Sequence, residues 1–395
     1  MDIDNLEKNA KIKGLNLLGT GDFTHPLWLE ELKKKLSESD GLFNFKDKNV
    51  FFLLQAEVSN IYPQDGKSRR VHNVLLAPSF EIVDQINDFL KDYGKLASDG
   101  RPILTKMNCE EMAESLFKIS KDIVIIPAHI WTPWFSVFGS MSGFDSINDC
   151  FGNQTKNIFA LETGLSSDPA MNWRLSQLDR FSLLSNSDSH SPWPSRIGRE
   201  MNVFETDATY KDVIDAIKSK DPKKFLYTIE VDPAYGKYHW DGHRVHNVSL
   251  EPKESKKYNN MCPMCGKPLT IGVLHRVEEL ADRNEGFVPE KQIPFKSLLP
   301  LSELIAYVYD TQPFSKRVWE ESTKLIRHFG TELNVLLEAE EEEMKSVVDE
   351  KIANIVVGNR EGSLKVQPGY DGVYGKLALD GRISKKQPQK RIDDY

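Results

Sequence analysis

Asp, Glu and His recur at the ends of apolar runs through the first half of this 395-residue chain. Residues 15–21 run into Asp22 and His25. Residues 50–56 end at Glu57, and His72 opens the run 73–77. Residues 123–128 end at His129, 158–161 at Glu162 and 181–187 at Asp188, with His190 two places on. Hard carboxylates mixed with imidazoles suit divalent cations held for hydrolysis. Alternate residues of an extended segment share a face, so Asp188 and His190 point the same way. One such residue at one strand end is ordinarily a cap or a turn former. Six such sites, using four of the nine histidines, are hard to explain that way. Asp22, His25, Glu57, His72, His129, Glu162, Asp188 and His190 are therefore the candidate metal ligands. Asp188, His190 and Glu57 are the candidate catalytic groups.

A second set lies further on. His243 and His246, then fifteen residues, then Cys262 and Cys265 make a credible tetrahedral zinc set. Gly266 suits the tight turn after the second thiol, and His239 competes for an imidazole position. Residues 231–290 have little periodic apolar content, so metal binding would supply the folding free energy that a core does not. A redox CxxC would want a strand-to-helix context that is absent here. Two ordinary buried thiols are the remaining reading.

These side chains need elements to position them. Residues 1–230 alternate strand-like and helix-like segments. Pro26 opens a helix over 26–37. Ser79 caps another over 79–93, with Gly94 as its stop. Asn108 and Glu111 form a capping-box start for a helix ending near Ser120. Residues 201–204 read as a strand and 210–218 as a helix. Strands alternating with helices predict parallel βα units. Six or seven of them, each ending in a functional group, predict a β/α barrel with the site on its rim. Lys67, Arg69 and Arg70 lie in 66–70, which reads as a basic loop beside Glu57 and His72. Beyond 290, helices are predicted over 300–309, 316–329 and 331–357, the last broken near 338–341. Glu338, Glu340, Glu341, Glu342 and Glu343 read as a solvated face. Gly330 and Gly358 read as helix ends, as in a helix-hairpin DNA holder or any short bundle. The resulting boundaries are 1–230, 231–290, 291–380 and a basic, disordered tail over 381–395.

Segments 19–26 (GTGDFTHP), 56–62 (AEVSNIY), 127–134 (PAHIWTPW), 162–169 (ETGLSSDP) and 185–190 (SNSDSH) resemble the PHP (polymerase and histidinol phosphatase) domain. More narrowly they resemble its endonuclease Q branch. The likeness runs on through 236–243 (GKYHWDGH), 262–283 and 368–375 (PGYDGVYG), nearly the whole chain. The related pattern has Cys where His246 stands. The resemblance implies an α/β fold: a distorted (β/α)7-type PHP barrel, a small zinc module with one structural Zn, and a C-terminal helical region that binds DNA. It implies a multinuclear barrel site holding Zn, Mn or Mg. The implied reaction is hydrolysis of DNA on the 5′ side of deaminated bases (uracil, hypoxanthine, xanthine) or abasic sites. Asp188 is then the first choice for a ligand whose loss abolishes cleavage, and Glu162 a further ligand or a partner of the flipped base. PHP domains open with a strand bearing His-x-His, which supplies two ligands. This chain has no such motif near its start and opens on the helix after it, over 4–13. The expectation is an N-terminally truncated barrel.

The net charge of −8 argues against a generally basic nucleic-acid coat but not against a local groove. No apolar run approaches the roughly 20 residues of a membrane span. The charged N-terminus lacks a signal-peptide h-region, and four cysteines are no disulfide framework. A cytoplasmic protein with damaged DNA as its partner is expected. Lys67, Arg69, Arg70 and Arg196 are candidates to grip phosphates. Trp131, Trp134 and Trp193 are candidates to stack on an extruded base, although large aromatics also simply pack loops. Two other readings stand beside this one. One is a phosphatase on a small phosphate ester, whose substrate would not need so extended a platform. The other is a DNA-binding protein impaired in catalysis by the missing His-x-His.

Overall fold

A computed structural model of the protein describes residues 2–97 and 101–378. The expected basic tail, 381–395, lies outside the described residues. Helix α1 (Ile3–Lys13) opens the fold; Asp2 caps it by accepting the Asn5 N–H, and Gly14 ends it at φ +92°. Strands β1 (Leu17–Gly19), β2 (Ser37–Ser39), β3 (Leu42–Asn44), β4 (Phe51–Gln64), β5 (Lys67–Ala77), β6 (Ile103–Thr105) and β7 (Val124–Pro127) build one sheet. Its order is β2-β3-β4-β5-β7, with β1 and β6 pairing in parallel along β4. Strands β8 (Ala160–Glu162) and β9 (Ser182–Leu184) form a separate parallel pair. Strands β10 (Met201–Phe204) and β11 (Phe225–Glu230) pair antiparallel. The expected helices form with the caps read from sequence: α2 (Pro26–Lys35), α3 (Phe80–Leu90) behind Ser79, and α4 (Cys109–Ile119) behind the Asn108–Glu111 capping box.

Three expectations are corrected. The units are not uniformly parallel: β4 pairs antiparallel with β5, and β5 with β7. Glu57 and His72 do not end or open strands but lie inside the 14-residue β4 and the 11-residue β5. Val58, Ile61 and Tyr62 carry strand-forming residues past Glu57. The chain reverses only at Asp65 and Gly66, whose φ of +52° and +72° suit a tight hairpin. Lys67, Arg69 and Arg70 therefore belong to a strand rather than a loop. The architecture is mixed α/β, and the strand ladders of the described residues trace no closed barrel.

Apolar residues cover both faces of the main sheet. Leu54, Ala56, Val71 and Leu75 pack against α1, α3 and α4, while Leu53, Val74, Leu76 and Ile126 pack against the helix Tyr210–Ser219. A further cluster gathers the helices Leu301–Val308, Lys316–Phe329, Glu332–Leu337, Glu341–Lys345 and Glu350–Arg360. The break near 338–341 is there, and a second follows at 346–349. Gly330 ends a helix as expected. Gly358 does not; it lies inside the last helix, where a Cβ would come 3.0 Å from Ser363 Oγ. No helix among the described residues is long and apolar enough to cross a membrane.

Candidate metal centre

Glu57 stands opposite Val74 and His72 opposite Ser59 in the β4–β5 ladder. They are diagonal neighbours on one face, within reach of long side chains. Glu57 Oε1 lies 2.7 Å from His72 Nδ1 and 3.7 Å from His129 Nε2, and those two nitrogens are 3.1 Å apart. His129 follows β7 in a left-handed conformation, φ +31°. Its surroundings over-determine that backbone. The His129 N–H donates to Glu162 Oε2 at 2.8 Å. Gly164, also left-handed, makes room for the ring; a Cβ there would come 2.6 Å from His129 Cβ. His129 Nδ1 is 3.1 Å from Thr132 Oγ1, whose shortest bond donates to the Trp134 carbonyl at 2.8 Å. Nδ1 is then the donor to Thr132, and Nε2 is left to face Glu57 and His72.

Asp22 and Asp188 both adopt positive φ, +47° and +43°, which short polar side chains tolerate. His190 Nε2 lies 3.4 Å from Asp188 Oδ1 at the exposed rim. Burial pushes Asp22 up, and the charges of His190, Glu57, His25 and Arg101 all act on it. Burial also works against charge on Asp188, but His190 and His129 hold it below the usual carboxylate value. Glu57 behaves alike: desolvation opposes its charge, and the hydrogen bonds from His129 and His72 win, keeping it ionised. Burial would strip His129 of its proton; Glu57 more than offsets this and holds the proton up to about 9. Burial pushes Glu162 up to about 7 while Asn186 donates to its Oε1 at 2.9 Å. The structure thus brings Asp22, Glu57, His72, His129, Glu162, Asp188 and His190 into one electrostatic neighbourhood, with His25 beside Asp22 at the start of α2. Three ligand atoms, one each from Glu57, His72 and His129, lie within 4.8 Å of one another.

The DNA-facing set divides. Lys67, Trp193 and Arg196 are exposed. Arg70 leans over the Phe135 ring at 5.5 Å, and Trp134 meets Tyr238 edge-on at 5.7 Å. Two residues are corrected. Arg69 is turned inward, its guanidinium 4.1 Å over the Phe144 ring and donating to the Gly143 carbonyl. Trp131 is buried, stacked on Phe138 at 4.7 Å, with its indole N–H donating to Asn172. Both pack the loop after His129 instead of meeting solvent, the usual fate of large flat side chains. Sequence reasoning missed Arg101, 3.4 Å from Glu57, and Thr132 and Asn186, which fix His129 and Glu162. Asn186 and Thr132 sit inside recognised motifs; nothing in the local sequence marks Arg101.

The second set converges as well. Among the described residues, His243, His246, Cys262 and Cys265 offer ligand atoms within 4.8 Å of one another. The imidazole nitrogens are 3.1 Å apart, with Cys262 3.6 Å from His246 and Cys265 3.5 Å from His243. Burial opposes the Cys262 thiolate, but bonds from His243 and the Met264 N–H bring it down to about 6. His239 stands outside the set. Its Nδ1 has no partner among the described residues, and burial lowers it to about 4, keeping it neutral. Two strands, β12 (Asp241–His243) and β13 (Val248–Leu250), and a small apolar cluster of the buried Val248, Cys262 and Leu269 support this module.

Comparison with known proteins places this architecture. Residues 300–363 match the family model described as the MJ0043 C-terminal domain. The chain is 35% identical over 258 residues to the uncharacterized protein MJ0043 of Methanocaldococcus jannaschii, a match covering 63% of this chain and 31% of that protein. It is 31% identical over 381 residues to the uncharacterized protein YqxK of Bacillus subtilis, covering 94% and 91% of the two chains. The crystal structure of the lesion-specific endonuclease PfuEndoQ from Pyrococcus furiosus superposes with a TM-score of 0.85 at 34% identity, over 100% of this chain and 93% of that one. Endonuclease Q in complex with a 27-mer duplex carrying an abasic lesion at the active site gives the same TM-score at 35% identity, over 100% and 94%. With the fold shared end to end at that level of identity, the chain belongs to the endonuclease Q family.

Proposed function

We propose that this protein is a DNA repair endonuclease that hydrolyses the phosphodiester 5′ of a deaminated base or an abasic site. The observation that carries the reading is the convergence of Glu57, His72 and His129 beside Asp22, Asp188 and His190. The donor set fits divalent ions: two imidazole nitrogens and a carboxylate oxygen already face one another, and Thr132 orients His129 from behind. Asp22, Glu57, His72, His129, Asp188 and His190 would hold the ions, Zn, Mn or Mg. When bound, these supply an activated water and neutralise the charge that develops on the phosphoryl oxygens.

The chain's own groups do the rest. Glu162 fixes the His129 backbone and presents a carboxyl that Asn186 orients. Arg101 adds a cation next to Glu57. Exposed Trp193 and Arg196, just past His190, and Lys67, at the tip of the β4–β5 hairpin, would supply phosphate and base contacts. The zinc module would hold one structural Zn through His243, His246, Cys262 and Cys265, a reading supported by their mutual approach and by the near absence of a core around them. Cysteines without disulfides suit the reducing cytoplasm. Labelled duplexes carrying uracil, hypoxanthine, xanthine or an abasic site, incubated with Mg²⁺ or Mn²⁺, test the proposal. Wild-type protein should nick at least one of them, and Asp188→Ala should not; nicking that persists in the variant refutes the site.

A further inference from the structure

We propose that the tip of the zinc module is an apolar wedge that enters duplex DNA beside the lesion, a role that rests on the repair reading above. Each half of the ligand set carries one aliphatic residue immediately before its second ligand: Val245 before His246 and Met264 before Cys265. Val245 is 73% exposed and Met264 70%. The four ligand side chains converge within 4.8 Å, so the backbone on either side of both residues is drawn to one tip. The Cys half is further fixed by its own turn, with Cys262 N–H on the Lys267 carbonyl at 2.7 Å and Gly266 N–H on the Cys262 carbonyl at 2.8 Å. Leu27, Val288 and Phe314 are exposed too; what sets Val245 and Met264 apart is that both sit on the loops which the ligand set draws together.

The charge around them names the partner. Residues 244–267 carry five basic side chains (Arg244, Lys253, Lys256, Lys257, Lys267) against two acidic ones, within a chain of net charge −8. All five are exposed. An apolar tip within so basic a segment matches phosphates flanking a base step, and apolar wedges that part such steps are a recurring device. The body of the module is also joined to the loop beside the candidate metal centre. Arg276 donates to the Phe138 carbonyl at 3.1 Å and Ser140 to the Ile271 carbonyl at 3.2 Å, which ties the module to the loop that follows His129. A nucleotide drawn out of the stack toward that centre leaves a gap, and Val245 and Met264 are the groups to fill it.

The test compares a lesion in a fully paired duplex with the same lesion inside a short bubble, where neighbouring bases are already unstacked. For wild-type protein and Val245→Ser plus Met264→Ser, nicking is measured on both substrates at one salt concentration. The ratio of paired to bubble nicking should fall about tenfold in the variant, the scale of a step whose unstacking is no longer compensated. 2-Aminopurine beside the lesion should brighten with wild-type protein and stay dim with the variant. Metal analysis of both proteins confirms the module's zinc. An unchanged ratio overturns the wedge, whether nicking is unaffected, as for a face that docks protein, or lost equally on both substrates. Wild-type protein that nicks neither substrate rejects the repair reading itself.

Discussion

Glu162 and Glu230 are carboxyls kept close to neutrality by their surroundings, and they serve different ends. Glu162 has a structural duty to His129 and lies in the charged neighbourhood of the candidate metal centre. Glu230, at the end of β11, is fully buried and accepts from Thr163 at 2.9 Å and Thr228 at 2.6 Å. Glu200 is buried as well, with Oε1 on the Val231 N–H and Oε2 without a partner. Burial pushes Glu230 up to about 7 from an ordinary 4.5. The folded state therefore binds this proton more tightly than the unfolded chain does. The stability it gives is complete below about pH 4.5 and is lost as pH rises through about 7. Glu230→Gln should raise the melting temperature at pH 8 more than at pH 5. Thermal denaturation at the two pH values checks this, and an equal effect at both would show that the proton does not matter. At this scale the sequence was most legible where chemistry is local. Asp188 with His190 two places on reads directly from spacing. Arg101 does not, because it reaches Glu57 only through the fold.

Elements with strong local signals were legible, and those decided by long-range pairing were not. Asp2, Ser79, Asn108 and Thr209 each accept a backbone N–H at a helix start, a contact set by residues three apart. The β4–β5 hairpin is not legible because a long strand and a short one share the same period-2 signal until a turn appears, and Gly66 reads as the start of a basic loop. With it went the antiparallel pairing that puts Glu57 and His72 on one face. The convergence of His243, His246, Cys262 and Cys265, a candidate zinc set, was legible for the opposite reason: its spacing is the signal, and the local apolar content is too small to compete. We expect one tightly held zinc per module, absent from Cys262→Ser plus Cys265→Ser. Elemental analysis of the purified proteins decides it, and a metal count untouched by the double substitution removes structural zinc from the account. The same variant should unfold in its module at lower temperature, since metal binding and folding are there one free energy.

Across the molecule, the N-terminal helix is tied to the C-terminal helices by a buried ion pair. Lys13 Nζ lies 2.7 Å from Glu332 Oε1, and both side chains are almost wholly excluded from solvent. The Leu301 N–H donates to the same oxygen at 3.2 Å. Gly14, just beyond α1, comes so close to Thr331 that a Cβ would lie 2.9 Å from its hydroxyl, at a φ of +92° that already favours glycine. One turn back along the same face of α1, Asn9 donates to the Pro192 carbonyl at 2.7 Å, two residues past His190. One helix thus spans the distance between the rim of the candidate metal centre and the region 300–363. Two charges out of water attract strongly but also lose their hydration, so the pair contributes little relative to a neutral replacement, while an orphaned partner costs much. Lys13→Met should therefore destabilise the protein by about 3–5 kcal/mol, leaving Glu332 buried and uncompensated. Glu332→Gln added to it removes the stranded charge and keeps an acceptor for Leu301, so the double variant should recover most of that loss. Urea unfolding of the wild type, the single variant and the double variant measures both steps. A single substitution costing less than about 1 kcal/mol, the range of an exposed pair, would mean that the helix is held by its apolar contacts alone. A double variant no more stable than Lys13→Met would mean that the cost came from lost packing around the lysine stem and not from the charge it leaves behind.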